Sequence, residues 1–296
     1  MKNLLLLLTS SILVLTACDD YSQGDYEEFY VVESYLIAGR ALQQVRLSTT
    51  APAFEFYSFE NTAVEGANVV VRLLEENGTG IDSTFTFGMR QAGIYIPDSP
   101  HIVLPSRTYR LEVLTQENEE ISATAIVPGN FTVVGGILDT LVYQSTDQLE
   151  VTLSESSYPG RQNVYIFNTL AVNPDPDNLT PLYADFYDGE DDLQEFSNTA
   201  SGLLNEGNFD VNSDGSITVR YPWIAVAFYG ENDIVASTVD DNIFDYVRSE
   251  EVQLGGSTLS PGEIQNVITH VEGGIGLFGA MASDTIRTFI RRNPDF

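Results

Sequence analysis

Hydrophobic positions fall into three textures along the chain. A leucine-rich run begins at Asn3, follows Lys2 and ends at Leu15-Thr16-Ala17-Cys18. Residues 19–28 are polar, acidic and short of aliphatics, the composition of a flexible tether. From Phe29 onward, short runs rich in β-branched and aromatic residues recur between Gly, Pro and Asn clusters, which predicts strands over 30–37, 44–48, 67–74, 83–87, 93–96, 108–114 and 121–127. Their spacing is that of a β-sandwich, with Asn77-Gly78 and Glu117-Asn118 supplying turns.

Pro128-Gly129-Asn130 and Gly135-Gly136 interrupt this pattern, so the expected boundary separates a first domain, 29–128, from a second, 137–296. Strands are predicted there over 138–143, 149–153, 163–172, 216–221 and 223–229. The Pro- and Asp-rich stretch from Asn173 and the acidic residues 185–195 read as a long irregular excursion. One helix is predicted over 238–253: Thr238 supplies a cap, Asp240 and Asp241 suit the positive end of the dipole, and Ile243, Phe244, Val247 and Val252 recur at helical spacing before Gly255-Gly256. The tail, 264–289, reads as two final strands around a glycine-rich segment.

The N-terminal run is too short to span a bilayer and has the form of a secretory signal, 1–18, ending at the only cysteine in the chain. A bacterial lipoprotein would be cleaved before Cys18 and carry acyl chains on that residue, several chains holding a protein where one does so only reversibly. The alternative is an ordinary signal peptide with an unlipidated cysteine. Acylation of Cys18 leaves no thiol for nucleophilic, metal or redox chemistry.

The net charge is −30, and loss of Lys2 with the signal takes it to −31, with twelve arginines and no lysine remaining. Such a surface opposes nucleic acid and anionic lipid headgroups, both of which need basic groups. It fits either a solvated acidic face or an adaptation to salt and divalent cations.

Several segments together resemble the Bacteroidota lipoproteins known as domain of unknown function 4249. Val31-Val32-Glu33-Ser34-Tyr35-Leu36 with Val45-Arg46-Leu47-Ser48 is similar to the opening strand pair. Glu65-Gly66-Ala67-Asn68-Val69 resembles a strand start shared with carboxypeptidase-regulatory-like and transthyretin-like sandwiches, and Gly93-Ile94-Tyr95 with Tyr109-Arg110-Leu111-Glu112-Val113 continues that domain. The segment from Asn266 through His270 to Gly279 resembles the closing glycine-rich strand. Relatives often have Asp-Pro before an Asn-Tyr-Tyr strand, whereas here Ser154-Glu155-Ser156-Ser157 precedes Asn163-Val164-Tyr165. The expected fold is therefore mainly β, an N-terminal immunoglobulin-like or transthyretin-like sandwich followed by a second β-rich domain with one helix. The resemblance implies an outer-membrane lipoprotein found alongside TonB-dependent transporters, with Asp19-Asp20 similar to a surface-export signal.

Candidate chemistry is sparse. Asp210, Asn212 and Asp214, with Gly215 and Ile217, match the first eight positions of a calcium loop, but Tyr221 stands where the bidentate carboxylate belongs. The alternative is a hairpin turning at Asp214-Gly215. His101 lies in a Pro-flanked loop and His270 in a strand-like run, and two histidines without a cysteine strain most metal and triad arrangements. Glu190, Asp191 and Asp192 would serve acid–base work only if paired, and Trp223, Phe186, Tyr187, Phe228 and Tyr229 would stack on a ligand or pack in the core. Catalytic residues are not expected. The favoured expectation is a non-catalytic, lipid-anchored envelope protein that helps a TonB-dependent transporter capture a ligand. A structural or adhesion lipoprotein and a carboxylate-based hydrolase are the alternatives. A concave aromatic patch between domains would favour capture, a flat polar surface scaffolding, and two facing buried carboxylates catalysis.

Overall fold

Val32, Leu36, Val45 and Leu47 point inward between solvent-facing neighbours, and this period of two sets the first strand pair. The computed structural model describes residues 26–52, 55–76, 78, 80–253 and 267–294. The first half comprises β1 (Tyr30–Ile37), β2 (Val45–Thr49), helix α1 (Phe59–Thr62), β3 (Asn68–Leu74), β4 (Ile81–Gln91), β5 (Ile94–Pro97), β6 (Thr108–Leu114) and β7 (Glu120–Ile126). The second contains β8 (Val133–Gly135), β9 (Thr140–Val142), β10 (Leu149–Leu153), β11 (Val164–Ala171), helices α2 (Pro181–Phe186) and α3 (Glu190–Phe196), β12 (Asn198–Ala200), β13 (Leu204–Asn205), β14 (Ile217–Tyr221) and β15 (Gly230–Val239). Helix α4 (Asp241–Gln253), β16 (Val271–Glu272) and β17 (Ile275–Arg291) complete it. The protein is mainly β, as expected.

Four local expectations are corrected. Residues 185–195 are not irregular: Pro181 starts α2, and Glu190, Asp191 and Asp192 fill the first turn of α3, where the helix dipole favours negative charge. Residues 223–229 are not a strand. Pro222 leads into a 3-10 turn over Trp223–Ala225, and the buried run Val226 to Tyr229 crosses the core as irregular chain held by Thr180 and Leu179. The strand follows instead at β15, whose opening Gly-Glu-Asn-Asp hides it from a propensity reading. The cap of α4 is Asp240 rather than Thr238, which is still within β15.

Among the described residues one sheet holds fourteen strands, in the order β12-β11-β15-β17-β1-β2-β5-β4-β3-β6-β7-β16, with β13 beside β11 and β9 beside β17. A second, three-stranded sheet, β14-β10-β8, packs over β11 through contacts such as Phe167 with Tyr221. The C-terminal strand crosses the expected boundary. β17 runs parallel to β1 from Val31↔Ile275 to Ile37↔Met281 and antiparallel to β15 from Gly230↔Ile290 to Val239↔Met281. β16 meanwhile pairs with β7, so the segment 271–281 closes the gap between the last and first strands of the N-terminal half.

The glycine-rich tail is what permits that closure. Gly276 has φ +107°, and a Cβ there would lie 2.1 Å from the Val32 carbonyl oxygen. Gly273, at φ +74°, would meet the Glu120 carbonyl at the same distance. Only glycine allows the backbone to pass this close in that conformation.

Helix α4 docks on the outer side of the β1–β17 pairing, burying Ile243 against Val164, Val239 and Leu277. Each such side chain contributes about 2 kcal/mol on burial, against about 1 kcal/mol for the Asp240 cap, so packing fixes the helix and the cap sets its start.

Candidate functional site

Strands β3, β6 and β7 turn alternate residues outward, and their register aligns these across the sheet. Arg72 pairs opposite Arg110, and Arg110 opposite Thr124. In the next row Val70 stands opposite Glu112, Glu112 opposite Ser122, and Ser122 opposite Glu272 of β16. Two arginines facing each other across strands repel. Glu112 offsets this, its two oxygens lying 2.7 Å from Arg72 Nε and 3.6 Å from Arg110 Nε.

The second half supplies the far wall. His270 Nε2 lies 2.8 Å from Asp245 Oδ2 of α4, and Asn242 donates from Nδ2 to the carbonyls of Thr124 at 2.7 Å and Phe278 at 2.8 Å, tying the helix to the sheet. Ser122 Oγ donates to Glu272 at 3.2 Å. Arg72, Arg110, Glu112, Ser122 and Glu272 line a groove of about 480 Å³ over β3, β6 and β7, and Arg110, Ser122 and Glu272 also border a hollow of about 350 Å³ beside His270 and Asn242. Both lie in the 300–1,000 Å³ range of small-molecule sites, at a junction of the kind such sites favour.

Arg110 is the group most available here. Its side chain is 48% exposed, and among the described residues its one ion pair is the long contact of Nε to Glu112. Guanidinium, imidazole and hydroxyl donors alternate with the Glu112 and Glu272 acceptors. The groove therefore offers complementary hydrogen bonds to a polar, hydroxyl-bearing or zwitterionic ligand, and among the described residues its walls carry no Phe, Tyr or Trp.

The residues singled out in the sequence lie apart. Cys18 falls outside the described residues. Asp210, Asn212 and Asp214 sit on the hairpin that leads into β14, with Val211 bridging Ile217. Asp214 Oδ1 accepts from Ser216 N at 3.1 Å and Ser216 Oγ at 2.7 Å, bonds that hold its carboxyl below the usual range. Asn212 turns its amide donors toward Ser216 and Thr218. Tyr221, at the twelfth position, is buried in the core. This donor set does not fit calcium: one carboxylate is bonded within its own turn and the closing ligand is a core tyrosine.

His101 stacks on Phe85 with centroids 4.1 Å apart and bonds Tyr109 Oη at 2.9 Å; burial lowers its pKa, the mark of a packed imidazole. Glu190, Asp191 and Asp192 serve the N-terminus of α3. Trp223 and Tyr229 pack edge-on against Tyr143, Phe228 is fully buried, and Phe186 is exposed. Of all the sequence candidates, only His270 belongs to the junction groove. Arg72, Arg110, Glu112 and Ser122 went unnoticed because outward positions on a strand look alike until the register is known.

Fold and groove define a mainly β protein whose two halves share one sheet and meet at a polar, mixed-charge face. The chain belongs to the family described as Domain of unknown function (DUF4249), whose model matches residues 19–287. No match was found among curated proteins. Among solved structures, trypsin-activated alpha-2-macroglobulin from Escherichia coli aligns at 8% identity and a TM-score of 0.21, over 73% of this chain and 15% of that one. A tetra-tandem repeat in the extending region of a large adhesion protein aligns at 10% and 0.20, over 88% and 49%. Three N-terminal domains of the bacteriophage RB49 highly immunogenic outer capsid protein align at 10% and 0.21, over 87% and 70%. The chain thus spans well under two thirds of the first two, and no score here reaches the level at which a shared fold follows.

Proposed function

We propose that this protein is a lipid-anchored, non-catalytic binding module of the bacterial envelope, held in the outer membrane through Cys18 and binding a polar ligand in the junction groove. The observation that carries the binding role is the convergence of Arg110, Glu112 and Ser122 from one half with Asn242, His270 and Glu272 from the other on one open groove. The anchor rests on the single cysteine closing the leucine-rich run. Partnership with a TonB-dependent transporter, and exposure at the cell surface, rest on the family resemblance and on Asp19-Asp20.

A structural or adhesion role is the second reading, and the open, polar character of the face favours it over capture by an aromatic cradle. The full chain, extracted from membranes with its lipid intact, separates the two. Capture predicts co-isolation of a TonB-dependent transporter, lost when Cys18→Ser releases the protein from the membrane and abolishes labelling by a fatty-acid analogue. Unchanged labelling of that variant would contradict the anchor, and isolation without any transporter would favour the structural role.

A further inference from the structure

The chain has 43 acids and 13 bases, so carboxylates outnumber cations more than threefold and an arginine readily finds a partner. Seven arginines do, including Arg287, which lies 2.6 Å from Asp233 Oδ1 and 3.7 Å from Glu231. Just beyond it, Arg291 at the end of β17 and Arg292 after it make no ion pair among the described residues. Arg292 is nonetheless fixed: its guanidinium lies 4.5 Å above the centre of the Tyr229 ring and donates to the Asp177 carbonyl. Arg291 is exposed and has no side-chain partner among the described residues.

These two arginines, Tyr229, Phe289, Asn173 and Asn178 line a groove of about 580 Å³, and so does Glu231, whose carboxylate faces Arg287 at 3.7 Å. Phe289 is 43% exposed, and because Ile290 between them is buried, Phe289 and Arg291 share the outer face of β17. We propose that this groove, separate from the junction site, binds a small organic carboxylate: Arg291 and Arg292 hold the anion and Phe289 covers its apolar portion. A guanidinium fork matches a carboxylate in two parallel hydrogen bonds, and a stacked arginine loses less freedom on binding than a loose one. Arg287 offsets the Glu231 charge on the groove wall, so the two arginines face a carboxylate ligand without a competing free acid among the lining residues.

Calorimetric titration of the full chain in mild detergent, at constant ionic strength, with benzoate and with acetate tests this. Saturable benzoate binding tighter than acetate is expected, with Phe289→Ala reducing benzoate to the acetate level. Arg291→Gln, which removes no side-chain contact among the described residues and should leave the melting midpoint unchanged, is expected to weaken benzoate at least tenfold. Arg40→Gln, at an exposed arginine elsewhere that also lacks an ion pair, should leave it unaltered. Absence of saturable binding up to tens of millimolar, an Arg291→Gln protein that binds as wild type does, or an equal loss in Arg40→Gln would overturn the proposal.

Discussion

Asp240 is 1% exposed and caps α4 with one oxygen, accepting from Ile243 N at 2.9 Å, while its Oδ2 has no partner among the described residues. Burial pushes its pKa from 3.8 up to about 7; the Ile243 bond and the Arg161 charge lower it and the neighbouring Asp241 charge raises it. Below about pH 4 the carboxyl is protonated in both folded and unfolded chains and costs nothing. Between about 4 and 7 the unfolded chain releases the proton and the folded one keeps it, so the native state binds more protons and stability falls as pH rises. Three pH units at about 1.4 kcal/mol each set a ceiling near 4 kcal/mol, fully expressed above pH 7. Asp240→Asn keeps the cap acceptor and removes the titration, at a cost of about 1–3 kcal/mol for a buried amide group without a partner. Urea unfolding of both proteins from pH 5 to pH 8 at fixed ionic strength isolates the effect. The stability difference should move in favour of the variant by about 3 kcal/mol across that range, most of it before pH 7. Tyr158, 3.1 Å from Asp241 N, and Arg161, 2.6 Å from Asp241, also face this helix start, and burial raises the Tyr158 pKa further above that range. A difference that stays constant with pH would refute the reasoning.

Gly276→Ala should lower the melting midpoint by roughly 6 °C or more, because positive-φ strain and a Cβ clash with Val32 O together cost about 3 kcal/mol or more and force β1 from β17; an unchanged midpoint would contradict the closure described for the tail. Sodium chloride raised from tens of millimolar toward molar should raise the midpoint, because a net charge of −30 repels itself when unscreened, and indifference to salt would sink that reading. Millimolar calcium at constant ionic strength should add nothing, since Asp214 is bonded to Ser216 and Tyr221 is buried; a further rise would reopen a cation site at the hairpin.

The N-terminal strands were legible because each alternates around a buried face, as β1 and β6 do. Elements that depend on distant partners were not. β15 begins with four residues poor in strand propensity and is a strand only because β11 and β17 flank it on both sides. The aromatic run from Trp223 looked like a strand and is buried irregular chain, since core burial asks for apolar residues without asking for a ladder. Pairing of β1 with β17 joins residues more than 240 apart, which no local pattern encodes. The groove was hidden for the same reason: His270 was visible as a residue type, but its meeting with Arg110, Ser122 and Asn242 is a product of register and of where α4 docks.

Native mass spectrometry of the full chain extracted from its own membranes addresses the junction groove most directly. Arg110→Gln is the informative variant, because the side chain is half exposed and its ion pair at 3.6 Å contributes at most about 1 kcal/mol to stability. The wild-type protein should retain a bound polar small molecule, and Arg110→Gln, with an unchanged melting midpoint, should lose it. A wild-type protein that carries no such mass, or a variant that carries it equally, would contradict the assignment of the groove as the binding site.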